Sequence, residues 1–271
     1  MDALTALFGL ELSIVLTLMV VSFIAAIIDS IAGGGGLLNV PSLMLAGLDP
    51  VSAVATNKLQ GSFGVLSATR AYARAGLIDW RASLPAFVGS AAGAGFGAVM
   101  AQVVPLGALK TAVPFLLIGI ALFILLSPKL SDAESRERVR PLVYAVTFAA
   151  IIGFYDGIFG PGGGTFFFIT LVVLLGQGVT RAAANAKFLN LASNLGAFGL
   201  FAFSGRIAWA LGLALGVAAV LGAQIGARAA LRGGAGLIKP VVVAVSILMA
   251  LRLMLDPAHP VGAAIAGFLG P

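Results

Sequence analysis

Four charged residues stand where a chain this apolar has least reason to place them. Lys58 and Lys187 lie six or seven residues inside long apolar segments, and Asp29 and Asp156 stand near the ends of two others. Each aspartate is followed at once by a glycine run, "DSIAGGGGL" from Asp29 and "DGIFGPGGGT" from Asp156 to Thr165. Polar residues crowd the lysines: Thr56, Asn57 and Gln60 around the first, Asn185, Asn190, Ser193 and Asn194 around the second. A charge inside lipid is costly unless it snorkels to the surface, pairs with a counter-charge or touches water. The lysines therefore either snorkel or share a polar pocket. The aspartates pair with them, cap the broken segments or carry coupling protons.

The glycine runs are not ordinary helix packing. Gly89, Gly93 and Gly97, spaced by four, read as a seam that lets two membrane helices approach closely. Gly33 to Gly36 are consecutive, so they cover every face of a helix and remove its intrinsic preference, at up to about 1 kcal/mol each relative to Ala. Pro161 interrupts the second run, which strengthens the break there. Broken membrane helices expose backbone groups only against protein or a watery cavity, and transporters turn the freed amide ends toward an anion near the midplane. The expected site for a small oxyanion comprises Gly33, Gly34, Gly35, Gly36, Thr56, Asn57, Lys58 and Gln60 from the first half. From the second half it takes Gly162, Gly163, Gly164, Asn185, Lys187, Asn190 and Asn194. Asp29 and Asp156 are the candidates for proton coupling.

Other chemistry finds little support. With no cysteine, one histidine (His259, in the Pro-rich tail) and two separated aspartates, the chain offers no nucleophile with a base, no carboxylate pair and no metal cluster. No Gly-Lys-Ser/Thr ending follows either glycine run, so neither cradles a nucleotide. We expect no enzyme activity and no cofactor.

The elements that must position these residues are set by the solvent. Of 271 residues 60% are hydrophobic and 10% charged, far below the roughly 25% charged of a soluble domain; the mean hydropathy is +1.10. The apolar runs recur from end to end, leaving no room for a separate soluble domain. The segment 1–31 lacks the basic start of a signal peptide and reads as a retained first span. The net charge of +6 reflects basic residues at span ends, which face lipid headgroups rather than nucleic acid.

The chain repeats itself. Gly47 and Gly176, Lys58 and Lys187, Trp80 and Trp209, Gly93 and Gly222, Gly97 and Gly226, and Pro128 and Pro257 all share one spacing, and that of Asp29 and Asp156 is two positions shorter. One copy covers residues 1–127, with apolar elements at 9–31, 37–48, 52–75, 82–103 and 107–127. The other covers 141–271, with elements at 141–159, 165–176, 181–204, 208–229 and 238–256. The loop at 128–140, with Lys129, Arg136, Arg138 and Arg140, is expected in the cytoplasm. Arg70, Arg74 and Arg81 lie before the fourth element of copy one, whereas Arg228, Arg232 and Lys239 lie after that of copy two. The basic end has switched, as an inverted repeat requires. The reading is an all-α polytopic membrane protein of two inverted repeats, about five elements each, with Gly-broken helices near the midplane, ten crossings in all and both termini outside. Trp80 and Trp209 read as interface anchors.

The pairing of "AGGGGLLNVPSLMLAGLDPVSAVATNK" with "GIFGPGGGTFFFITLVVLLGQGVTRAAANAK" resembles the TauE/SafE family of sulfite exporters, also called the TSUP family, over nearly the whole chain. The resemblance implies a multi-pass carrier of the bacterial inner membrane that moves sulfite, sulfonates or related sulfur-containing anions, usually outward. Residues and resemblance together lead to a secondary transporter working by alternating access, as a monomer or homodimer among membrane lipid. An anion channel of the same architecture is the alternative.

Overall fold

The computed structural model describes residues 8–103, 122 and 132–255. Lys110, the expected element at 107–127, Pro128, Lys129, Pro257 and His259 lie outside them. The described residues form helices and turns, with no strand. In chain order the helices are α1 (Leu12–Ala32), α2 (Gly36–Leu45), α3 (Pro50–Arg74), α4 (Trp80–Met100), α5 (Pro141–Ile158), α6 (Gly163–Leu175), α7 (Val179–Phe201) and α8 (Trp209–Met254). A π-helical segment, Ala145–Ala149, lies within α5. Helix α8 breaks at Gly234, whose φ of 50° interrupts the helical run. The break falls between the two elements read at 208–229 and 238–256.

Local chemistry explains where helices start. Asp49 precedes Pro50 and accepts the Val51 and Ser52 amides, and Asp79 accepts those of Arg81 and Ala82, each satisfying orphan donors of a first turn. The repeat equivalent of Asp49 is Gly178, which has no side chain to offer. Its helix is capped from elsewhere: Asp132, in the basic loop, accepts the Thr180 amide through Oδ1 at 2.7 Å and the Ala235 amide through Oδ2 at 3.3 Å. One carboxylate thus serves the start of α7 and of the second arm of α8.

Two apolar clusters mark opposite ends of the molecule. One contains Val15, Leu18, Leu43, Ala53, Phe201, Ile207 and Leu211. The other contains Tyr72, Ile78, Tyr144, Val179, Ala230 and Ile238. Helix α3 runs from the first cluster to the second, α4 returns, α7 runs back from the second to the first, and the first arm of α8 returns again. The short helices do something else. Val40 and Leu43 of α2 join the cluster that holds Val15 and Leu18, so α2 turns back toward the end where α1 began. At the far end of α6, the Leu174 carbonyl accepts from Arg138 and the Gly176 carbonyl from Ser135, just before α5 starts. With 10 and 13 residues, α2 and α6 rise about 15 and 20 Å and fall short of a roughly 30 Å core. Helices α1 and α2, and likewise α5 and α6, thus form hairpins beside the longer helices.

The two copies are interleaved. Helix α4 of the first packs against α5 and α7 of the second, and α8 of the second packs against α1 and α3 of the first. Equivalent glycines make the close approaches. A Cβ on Gly93 or Gly97 would run into the Ala150 and Phe154 carbonyls, and one on Gly222 or Gly226 into those of Phe23 and Ile27. Phe23 and Ala150, like Ile27 and Phe154, keep the spacing of Asp29 and Asp156. The packing seam read from the sequence spacing at Gly89, Gly93 and Gly97 is the α4–α5 contact.

Candidate substrate site

Each hairpin turns through residues that only glycine accommodates at low cost. Gly33 and Gly160, equivalent in the repeat, have φ of 83° and 81°, and Gly34 and Gly162 have 92° and 93°. Non-glycine residues rarely hold such angles. The two turns also touch: a Cβ on Gly33 would sit under 3.0 Å from the Thr165 nitrogen, and Thr165 Oγ1 donates to the Ala32 carbonyl at 3.2 Å. The starts of α2 and α6 therefore meet at the centre of the molecule, and no side chain could be added between them without moving backbone.

The lysines do not snorkel. Lys58 reaches across to the other copy and donates to Asp156 Oδ2 at 2.6 Å, with side-chain exposures of 1% and 2%. Lys187 makes the reciprocal bond to Asp29 Oδ2 at 2.9 Å, where the lysine is 2% exposed and the aspartate 19%. Asp29 also accepts the Gly35 amide at 3.0 Å, so it both pairs with a lysine and holds the first turn of α2. Asp156 accepts a second bond, from Ser193 Oγ at 2.5 Å. Two ion pairs, each joining one copy to the other, flank the glycine turns. Their four charges cancel, and of the readings weighed for the aspartates the pairing with lysine is the one found.

Beside the pairs lies a cavity of about 40 Å³, room for about three waters at 10–15 Å³ each, or for one compact oxyanion. From the first copy Asp29, Gly34, Gly35, Gly36, Asn57, Lys58 and Gln60 line it; from the second Asp156, Gly162, Gly164, Asn190 and Asn194 do. Asn57 is 6% exposed, and its side chain has no hydrogen-bond partner among the described residues. A buried amide left open toward a cavity is a donor waiting for a ligand. Gln60 is engaged instead: it donates to Ser22 Oγ at 2.9 Å and accepts from Asn39 at 3.3 Å, tying α1, α2 and α3 together.

Other expected site residues sit apart from the cavity. Thr56 Oγ1 accepts the Ala208 amide at 3.1 Å at the start of α8. Asn185 donates to Gln177 at 3.0 Å and accepts from Ser83 at 3.3 Å. Gly33 and Gly163 belong to the turns but are not in the wall, and Lys187 reaches it through Asp29 and the neighbouring Gly164. The sequence reading missed Asn39, Gly61 and Gly64, which line the cavity together with Gly160 of the second glycine run. Asn39 had a signal, as the one amide side chain in an apolar helix of only about three turns. Gly61 and Gly64 had none, because their value depends on helices distant in sequence: a Cβ on Gly61 would come 3.0 Å from Asn194 Oδ1 of α7, and one on Gly64 3.1 Å from Ala219 Cβ of α8.

The site is thus drawn from both halves of the chain, broken at glycines and crossed by reciprocal ion pairs. The family model described as "Sulfite exporter TauE/SafE" matches residues 18–253. The chain belongs to the TauE/SafE family. A probable membrane transporter protein, ORF9 of Sinorhizobium sp, is 49% identical over 243 residues, 90% of this chain and 93% of that one. The probable membrane transporter protein YfcA of Escherichia coli is 40% identical over 260 residues, 94% and 95% of the two chains. YunE of Bacillus subtilis, another probable membrane transporter protein, is 27% identical over 223 residues, 73% of this chain and 82% of that one. No solved structure matches the chain. The family resemblance read from the duplicated glycine runs is thus shown, and with it a membrane transporter.

Proposed function

We propose that the protein is a secondary transporter that exports a small sulfur-containing anion, sulfite or a small sulfonate, across the bacterial inner membrane by alternating access. The observation that carries this reading is the central cavity, where two glycine-broken helix starts, the open amide of Asn57 and two ion pairs between the copies converge. Helix N-terminal amides and cations suit an oxyanion, and the family description names sulfite. The volume suits a compact oxyanion better than a long organic acid. Apolar clusters on both sides of the cavity favour a carrier over an open pore.

The two copies act as inverted repeats in this proposal, with three crossings and one re-entrant hairpin each, and the unequal opening of two equivalent halves supplies the inward and outward states. The basic residues at the end of α3, around the break in α8 and in the loop before α5 face the cytoplasm. An anion that leaves a negative interior unaccompanied by a proton gains about 2.3 kcal/mol per charge per 100 mV, and one that leaves with a proton per charge moves electroneutrally. The test is efflux of sulfite, sulfate and methanesulfonate from proteoliposomes. Saturable efflux, accelerated by the same anion outside and lost in Lys187→Ala, is expected. Linear efflux indifferent to the outside anion would make the protein a channel, and no flux for any of them would end the anion reading.

A further inference from the structure

The carboxylate of Asp29 already occupies an oxyanion's seat. One of its oxygens takes the Gly35 amide at the start of α2 and the other takes the Lys187 ammonium. A helix N-terminus and a cation are the groups that bind small anions. Here they are filled from within the chain. Any external anion must either do without them or displace the aspartate.

We infer that Asp29 is an internal stand-in for the transported anion and the group that binds the coupling proton. The anion takes Lys187 and the Gly35 amide when Asp29 has accepted a proton and let them go, so one proton enters the site with each anion. The inference rests on the carrier reading above. Its charge balance is simple. The four paired groups sum to zero; a monoanion entering alone leaves one negative charge in a site away from bulk water, and one proton on Asp29 restores neutrality. No covalent bond breaks: the proton comes from solution, converts the carboxylate to a carboxylic acid, and leaves when the anion does.

Asp29 is set apart from its counterpart by three features. Both aspartates line the cavity, but Asp29 is 19% exposed against 2% for Asp156. It bonds a helix-start amide, whereas the hydrogen bonds of Asp156 come from Lys58 and Ser193. The first-copy equivalent of Ser193, at the spacing that relates Lys58 to Lys187, is Gly64, which lines the cavity and has no hydroxyl to hold Asp29 in place.

The ionisable groups around Asp29 leave it as the one free to respond. From α7 comes Lys187, its partner; Arg181 stands exposed at the start of that helix. From α3 come Lys58, already bonded to Asp156 of α5, and Tyr72, whose hydroxyl donates to the Ser30 carbonyl at 2.8 Å. Arg70 and Arg74 lie toward the end of α3, and Arg228 and Arg232 are exposed along α8. Helices α2 and α6 carry no ionisable side chain.

The experiment uses the purified full chain in detergent. Infrared spectra across a pH titration follow the carboxylic acid carbonyl band, and binding of methanesulfonate, which does not titrate over this range, is measured at each pH. Asp29→Asn and Asp29→Glu are run alongside. We expect an acid band in the parent that methanesulfonate strengthens and Asp29→Asn removes. Affinity should fall about tenfold per pH unit across the range in which that band disappears. The slope should be flat in Asp29→Asn and restored in Asp29→Glu, which still carries a proton. Should Asp29→Asn fail to fold, the parent band and the Asp29→Glu shift decide. Binding with the parent slope in Asp29→Asn, or a band that methanesulfonate leaves unchanged, overturns the proton site while leaving a carrier. Absence of binding by methanesulfonate, sulfite and sulfate at every pH overturns the carrier reading and the coupling with it.

Discussion

The two ion pairs are equivalent in the repeat and unequal in their surroundings. Lys58–Asp156 is sealed, with a serine hydroxyl closing the carboxylate. Lys187–Asp29 is open on one side, and its carboxylate borrows a helix amide in place of the serine. Duplication supplies two copies of one device, and small substitutions then divide the labour. Where the second copy has Asn190, Ser193 and Asn194, the first has Gly61, Gly64 and Val65. The first copy thereby gives up polar contacts around its own aspartate and leaves space there for a cavity. The sealed pair is suited to hold the copies in register, and the open pair to change.

The sharpest way to break that comparison is to remove one lysine at a time. Lys58→Ala leaves the Asp156 carboxylate, 2% exposed, with the Ser193 hydroxyl as its partner, and leaving a buried charge unpaired costs about 3–5 kcal/mol. We expect a large fall in the thermal unfolding temperature and loss of monodisperse protein. Lys187→Ala leaves Asp29 with the Gly35 amide and cavity water, so its loss of stability should be clearly smaller although transport is lost. Equal destabilisation of the two variants would remove the distinction.

A medium effect tests where the copies are alike. Gly93→Ala and Gly222→Ala each push a methyl group into the backbone of a partner helix, and overpacking of this kind costs about 1–3 kcal/mol. Similar drops in the unfolding temperature of both variants are expected from equivalent contacts. A drop in only one would show that the α4–α5 and α1–α8 seams differ in tightness.

The smallest effect concerns the helix caps. Burial opposes ionisation of Asp132, but the hydrogen bonds from Thr180 and Ala235 and the charge of Lys239 outweigh it and hold the carboxyl below its usual range. A carboxyl lowered by folding stabilises above its unfolded value, near about 3.9, and that contribution fades as pH falls through the lower folded value. Hydrogen exchange at the Thr180 and Ala235 amides, corrected for intrinsic rates, should therefore rise below the ordinary carboxylate range. Asp132→Asn should weaken that pH response. Unchanged protection would leave these helix starts to other contacts.

Much of this was legible in the residues. Consecutive glycines within apolar segments announced the breaks, because no helix face can absorb four of them, and the constant spacing of Lys58 with Lys187 and Trp80 with Trp209 announced the duplication. The count of crossings was not legible, because apolarity reports burial in lipid without reporting direction. A short apolar run looks the same whether it continues a crossing or turns back. Thr56 and Asn185 were placed in the site by proximity in sequence, yet on a helix a residue two positions from a lysine points about 160° away from it, and both make contacts with other segments.

The sequence by itself determined that the chain lives in a membrane, that it is doubled, and that glycine turns, two lysines and two aspartates form its polar centre, since composition, period and steric permission are local properties. Only the tertiary structure decided which aspartate meets which lysine, that each pair joins the two copies, and that Asp29 alone bridges an ammonium and a helix amide. Those contacts link residues 98 and 158 positions apart, and a distance of that kind is set by how the helices pack.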